Sequence, residues 1–223
     1  MAFGEYEQAL EYNGKALKIF LATVGEAHPD TAITYNNMAA VYRNQGRYDK
    51  ALEYYSKASS ITLATVGDSH PDTATTYNNM ALVYSSQGQY EQALEYYGKA
   101  LKIRLSTVGE AHPDTATTTY NNMANVYYKQ GRYEQALEYY GKALKIRLAT
   151  VGEAHLSTAT TYKNMAHVYD RHGQSDKALE YHGKLLKIQL ATVGEAHPNT
   201  AKTFTGMANV YMNQGQYDKA LEY

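Results

Sequence analysis

The chain repeats itself. Gly4, Gly46, Gly88, Gly131, Gly173 and Gly215 stand 42, 42, 43, 42 and 42 residues apart, each followed two residues on by Tyr except for Ser175. A fixed period of this size restricts a chain to stacked copies of one supersecondary unit, because no single copy can bury its apolar face alone. One copy, Thr75 to Asp114, reads TTYNNMALVYSSQGQYEQALEYYGKALKIRLSTVGEAHPD and serves as the reference.

The reference copy divides into two amphipathic helices, A and B. Helix A is predicted from about Pro71 to Gln87. Proline suits a first helical position, where its missing N–H has no partner to lose, and Asp72 favours the positive end of the helix dipole. Tyr77, Met80, Ala81 and Tyr84 fall at i, i+3, i+4 and i+7, one apolar stripe. Gly88 ends the helix. Helix B is predicted from about Gln89 to Val108, with Tyr90, Ala93, Leu94, Tyr97, Ala100, Leu101 and Leu105 inward. Glu95 precedes Lys99 by four residues, and the same pairing recurs as Glu11–Lys15, Glu53–Lys57, Glu138–Lys142 and Glu180–Lys184, which marks a solvated face. Gly14, Gly98, Gly141 and Gly183 sit in the middle of helix B, where Gly costs about 1 kcal/mol relative to Ala. Close backbone approach and tolerated drift both account for them; Ser56 takes the place in the first full repeat.

Carried along the chain, the period predicts one all-α array. A lone helix B (5–24) is followed by full repeats at about 29–66, 71–108, 113–151 and 156–193, and by a partial repeat at 198–223. GEYEQALEY opens the chain and GQYDKALEY closes it, the same phase of the repeat, as in a piece of a longer array. Neither end has the polar capping helix of a finished solenoid, so end-to-end self-association of terminal faces is expected. The third full repeat has one extra residue within Thr117–Thr118–Thr119. Beside a helix start it can be absorbed by the loop or by a local bulge, leaving the stripe from Tyr120 onward undisturbed.

Composition narrows the functions. Lys and Arg number 21 against 22 Asp and Glu, a balance that points to neither nucleic acid nor an anionic membrane. There is no cysteine, no signal-peptide layout at the start and no apolar run long enough for a membrane span, so a cytoplasmic location is expected. Five histidines (His28, His70, His112, His155 and His197) share one linker position in successive repeats, too far apart to ligate one ion, and His167 and His172 lie about 140° apart on a helix. No metal or cofactor is expected. Of 24 tyrosines, all but Tyr128 fall at recurring framework positions, and Met38, Met80, Met123, Met165 and Met207 belong to the core. No nucleophile–base pair or phosphate loop occurs, so the chain reads as a non-enzyme.

With Ala74 counted as position one, Tyr77 is fourth, Met80 seventh, Ala81 eighth, Tyr84 eleventh, Gly88 fifteenth, Tyr90 seventeenth, Ala93 twentieth, Tyr97 twenty-fourth and Ala100 twenty-seventh. This resembles the tetratricopeptide repeat, lengthened from the usual ~34 residues by about one turn per helix. The tyrosine–asparagine pairs and Gly-x-x-His-Pro-Asp linkers resemble the kinesin light chain subgroup; nephrocystin-like proteins and some signalling ATPases carry similar arrays. The resemblance implies a right-handed superhelical α-α solenoid of stacked antiparallel helix pairs, whose concave groove is lined by helix A positions two, five, six, nine, twelve and thirteen. In the reference repeat these include Asn78, Asn79, Leu82, Ser85 and Ser86.

Between copies the framework barely changes, while the groove does. Position nine reads Ala40, Leu82, Asn125, His167, Asn209; position twelve Arg43, Ser85, Tyr128, Asp170, Met212; position thirteen Asn44, Ser86, Lys129, Arg171, Asn213. Relaxed drift and a distinct contact in each repeat both fit. Position six keeps Asn37, Asn79, Asn122 and Asn164 before Gly206, and an asparagine here holds the backbone or terminal carboxylate of a bound peptide in related proteins. Its amide offers donors and an acceptor to any extended main chain. Arg43, Lys129, Lys163, Arg171 and Lys202 face Asp170 alone, which makes the groove basic. Asn125, Asn164 and Lys202 match part of a carboxylate clamp, but Asn121 and Gly206 replace its further Lys and Arg. The expected function is a non-enzymatic scaffold that holds an extended, acidic peptide, with neither nucleic acid nor membrane as partner. The alternatives are a structural, oligomerising or sensor segment of a larger multidomain signalling protein, such as a signalling ATPase, or an array serving mainly as a stable solenoid.

Overall fold

The computed structural model describes residues 3–110, 112–113 and 115–222. Among them are eleven α-helices and no strand: α1 (Phe3–Thr23), α2 (Pro29–Asn44), α3 (Tyr48–Val66), α4 (Pro71–Ser86), α5 (Tyr90–Thr107), α6 (Asn121–Lys129), α7 (Tyr133–Thr150), α8 (Leu156–Arg171), α9 (Ser175–Thr192), α10 (Pro198–Asn213) and α11 (Tyr217–Ala220). The chain divides into two compact units, residues 1–109 and 110–223. In the first, α2 pairs with α3 and α4 with α5, while α1 packs on α2 and α3 on α4. In the second, α6 pairs with α7 and α8 with α9, and α10 packs on α9 and α11. No described helix is long and apolar enough to cross a membrane.

Local chemistry fixes where these helices begin and turn. His28, His70, His155 and His197 are N-caps, with Nδ1 accepting from the N–H two residues on at 3.1–3.2 Å. Each thus satisfies one of the N–H groups left open at a helix start, the task usually given to Ser, Asp or Asn. At the A–B turn, Gly46 has φ 73°; its N–H donates to Arg43 O and the Arg47 N–H to Tyr42 O. That left-handed closure is open to glycine without a Cβ penalty.

Each helix pair closes on small residues. Ala39, Ala51 and Ala58, like Ala81, Ala93 and Ala100, have no exposed surface. Around them three tyrosines form a cluster: Tyr54 lies 5.8 Å from Tyr35 and 5.2 Å from Tyr42, and Tyr96 5.8 Å from Tyr77 and 5.3 Å from Tyr84. Lys99 covers the cluster, 4.6 Å from the Tyr96 ring centre and 2.6 Å from Glu95 Oε1. The same arrangement recurs in the second unit with Lys142 over Tyr139 and Lys184 over Tyr181. The Glu–Lys pairs are therefore lids on the aromatic packing as well as a solvated face.

The extra residue of the third repeat is taken up as a π-helical turn, Thr115–Tyr120, leading into α6. A π turn adds one residue per turn without reversing the chain, so the stripe beyond it keeps its direction. Tyr120 remains 6.0 Å from Tyr139, much as Tyr35 is from Tyr54, and Met123 is buried. The side chains of Thr117 and Thr118, together with Tyr223, lie outside the described residues.

Helix B departs from expectation in its last turns. Leu105, expected inward, is 40% exposed, while Ile103 is buried, as are Ile61, Ile146 and Ile188 at the same position. Ile103 lies about 60° beyond Ala100 on one margin of the stripe and Leu105 about 40° beyond Leu101 on the other, so the buried face of helix B is turned toward the Ala100 side. One residue beyond the isoleucine, a polar side chain reaches the next helix A. Arg147 Nη1 donates to Ser157 O at 2.7 Å and to Thr161 Oγ1, and Gln189 Nε2 donates to Asn199 O at 3.3 Å. Burial holds the Arg147 guanidinium below its ordinary pKa.

The mid-helix glycines have no packing role: a Cβ at Gly14, Gly98, Gly141 or Gly183 would meet nothing within 4 Å. Close backbone approach is excluded there. Gly141→Ala should stabilise the fold by about 0.5–1 kcal/mol, and the change at all four positions by a few times that. Urea unfolding measures it; a destabilised Gly141→Ala protein would contradict this reading.

Candidate peptide-binding face

The second unit gathers most of the predicted groove residues onto its A helices. Between α8 and α10 lies an open groove of about 380 Å³. Lys163 and Asn164 line it from α8, Lys202 from α10, and His182, Leu185 and Gln189 form its floor from α9. Both lysines are exposed and Asn164 is half-buried, so ammonium groups flank an amide. Toward α6, Tyr128 meets His167 edge-on at 5.2 Å and Tyr133 at 6.0 Å. Burial raises the Tyr128 phenol's pKa, with the nearby Arg171 guanidinium opposing the shift. Lys129, His167 and Arg171 are exposed, and Asn122 is half-buried. Asp170, the one acid among the groove positions, accepts from Asn213 Nδ2 at 3.5 Å.

Asn125 is placed differently: its Oδ1 accepts a hydrogen bond from the Tyr140 hydroxyl. Tyr140 is 1% exposed, and burial drives its phenol pKa well up, so the neutral hydroxyl persists as a donor. Asn125 thus satisfies a core group with one of its amide atoms.

In the first unit, Asn37 lines a smaller groove of about 220 Å³ between α2 and α4, with Ile33, Thr65 and Thr75. Asn37 is exposed and Asn79 half-buried. Position five is split in this unit: Asn36 lines that groove beside Asn37, while Asn78 is covered. Asn78 is 5% exposed, and Asn36 Nδ2 donates to the buried Thr76 Oγ1 at 3.3 Å, from α2 to α4. Ser85 is likewise buried. The Asn36 amide thus ties α2 to α4. Only where α8 and α10 carry Lys163 and Thr205 is position five exposed.

Two polar residues at the helix interfaces went unmarked by the sequence reading. Arg147 reads as an ordinary cation near a helix C-terminus, yet it is 4% exposed. His182 occupies a framework tyrosine position; its imidazole is largely buried and its pKa is pulled down, chiefly by burial. The signal for His182 was present as a break in the tyrosine series, paired with the asparagine series ending at Gly206.

A family model described as the tetratricopeptide repeat matches residues 1–61, 30–106 and 114–191, and a second model of the same description matches 201–223. The chain belongs to the tetratricopeptide repeat family. Its helix pairs are those of a TPR solenoid, an architecture of protein–protein interaction scaffolds. The crystal structure of BtubC (BKLC) from P. vanneervenii is similar, with TM-score 0.81 and 24% identity over 97% of this chain and 87% of that one. A putative kinesin light chain of Podosopora anserina, with nearly identical TPR-like repeats, gives TM-score 0.76 at 24% identity, over 87% of this chain and 92% of its own. Apo RapI gives 0.74 at 23%, over 86% and 67%. At these identities the likeness is one of fold. No curated protein matches the chain.

Proposed function

We propose that this TPR protein is a non-enzymatic adaptor whose helix A face binds an extended acidic peptide, and that its repeats form one array. The observation that carries the reading is the α8–α10 groove, where Lys163, Asn164 and Lys202 converge. Amide groups at Asn122 and Asn164 suit a peptide backbone of any sequence, while Lys129, Lys163, Arg171 and Lys202 set a preference for negative charge. Four cations against the single carboxylate of Asp170 leave positive charge dominant on this face.

A second reading, as an oligomerising segment, draws on α1. Ile19 occupies the position of Ile61, Ile103, Ile146 and Ile188, yet is 61% exposed where they are 4–7%. Tyr12 beside it is 68% exposed. We propose that this face stacks on a second copy.

Lys163→Glu with Lys202→Glu should abolish capture of end-blocked acidic peptides while leaving the unfolding midpoint unchanged, since both side chains are exposed. Calorimetric titration and thermal unfolding read the two effects, and undiminished affinity would defeat the groove reading. Light scattering at rising concentration should show a mass increase that Ile19→Glu removes. A strictly monomeric wild-type chain at high concentration would defeat the stacking.

A further inference from the structure

The last full repeat breaks the framework at two positions that touch. The twenty-fourth position of helix B holds Tyr55, Tyr97 and Tyr140, each at most 1% exposed. Position six of the following helix A holds Asn79, Asn122 and Asn164. The next such pair is His182 and Gly206. The two changes are coupled: a Cβ on Gly206 would lie 2.7 Å from His182 Cε1 and 3.2 Å from Nε2. The imidazole therefore occupies the volume that a side chain at 206 would need. Its Nδ1 is shielded from solvent and has no hydrogen-bond partner. The ring lines the α8–α10 groove together with Lys163, Asn164 and Lys202.

We infer that His182 and Gly206 make this groove a subsite for a single carboxylate side chain, Asp or Glu, of the bound peptide, with the imidazole as floor and Lys163 and Lys202 as walls. The inference rests on the peptide-groove reading and locates its charge recognition. Two ammonium groups and a protonated imidazole offer only donors, whereas a carboxylate is acceptor-only and carries about four lone-pair sites. Leu156 and Val193 line the same groove and supply apolar surface for the aliphatic stem of such a side chain.

The groups acting on His182 set the sign of a pH effect. From α8 these are His167 and Asp170, while Lys163 of α8 and Lys202 of α10 line the same groove. Burial holds the imidazole below its ordinary pKa, Asp170 opposes that and His167 adds to it. In the free protein His182 is thus neutral at neutral pH. A ligand carboxylate against the ring stabilises the protonated form, so binding takes up a proton. Affinity rises as pH falls below neutrality, through and below the ordinary imidazole value of about 6.5, until the ligand's own carboxyl protonates at about 4.3.

The test uses the full chain and a positional-scanning library of end-blocked decapeptides. The comparison protein carries His182→Tyr with Gly206→Asn, the pair already present in the three preceding repeats. The wild type should enrich Asp or Glu at one position, and Glu→Gln there in a selected peptide should weaken binding about tenfold. The double variant should lose that discrimination and keep the rest of the profile. An identical profile in both proteins overturns the subsite and leaves the peptide groove standing. Absence of any acidic enrichment by the wild type defeats the groove and the subsite together. His182→Gln provides the second readout and serves alone if the double variant does not fold. Its affinity for the selected peptide should be flat between about pH 7 and 5, and a slope equal to the wild type's overturns the inference.

Discussion

The rest of the structure depends on alanine at the crossing of each helix pair. Ala39, Ala51, Ala81, Ala93, Ala124, Ala136, Ala166 and Ala178 have no exposed surface, and each presents only a Cβ to its surroundings. Small residues let helices approach at the short end of the usual 8–10 Å range. That approach brings the tyrosines of helix A within ring contact of the tyrosine on helix B, and lets the lysine one turn further along cover both. A larger side chain at the crossing would part the rings and uncover the lysine's aromatic bed. The 42-residue period is thus the sequence form of a packing condition met once per repeat.

Because this condition is met inside each pair, the outward side of helix A is free to vary. Between pairs the requirement is looser, and different polar side chains meet it. Arg147 pins the start of α8 through Ser157 O, and Gln189 pins the start of α10 through Asn199 O. Asn36 ties α2 to α4 through Thr76. Such contacts hold adjacent helices at the spacing that leaves a groove between α8 and α10. The residues of that groove vary without disturbing the alanine crossings beneath.

The fold was legible almost entirely from the sequence, since period, apolar stripe and helix-stop glycines all point to one architecture. Even the extra threonine was readable as a local matter, and its π turn leaves Tyr120 in register with Tyr139. Position along a helix was less legible than helix identity. Leu105 and Asn78 lie at the margins of their stripes, where a few tens of degrees decide between cover and solvent. The resemblance implies a groove position for Asn78, yet its side chain is covered. His182 and Arg147 were missed for a related reason. A polar residue at a buried position looks in sequence like an ordinary surface substitution, and only the coupling of His182 with Gly206 shows what it fills.

The most direct measurement is a map of where a peptide touches the protein. Backbone amide shifts of the full-length chain, followed by NMR as an end-blocked acidic peptide is added, report this residue by residue. The largest changes should fall on α8 and α10, around Asn164 and Lys202, with the outer faces of α7 and α9 unmoved. Changes concentrated on the Lys142 and Lys184 faces of those B helices, with α8 and α10 silent, would contradict a helix A binding face.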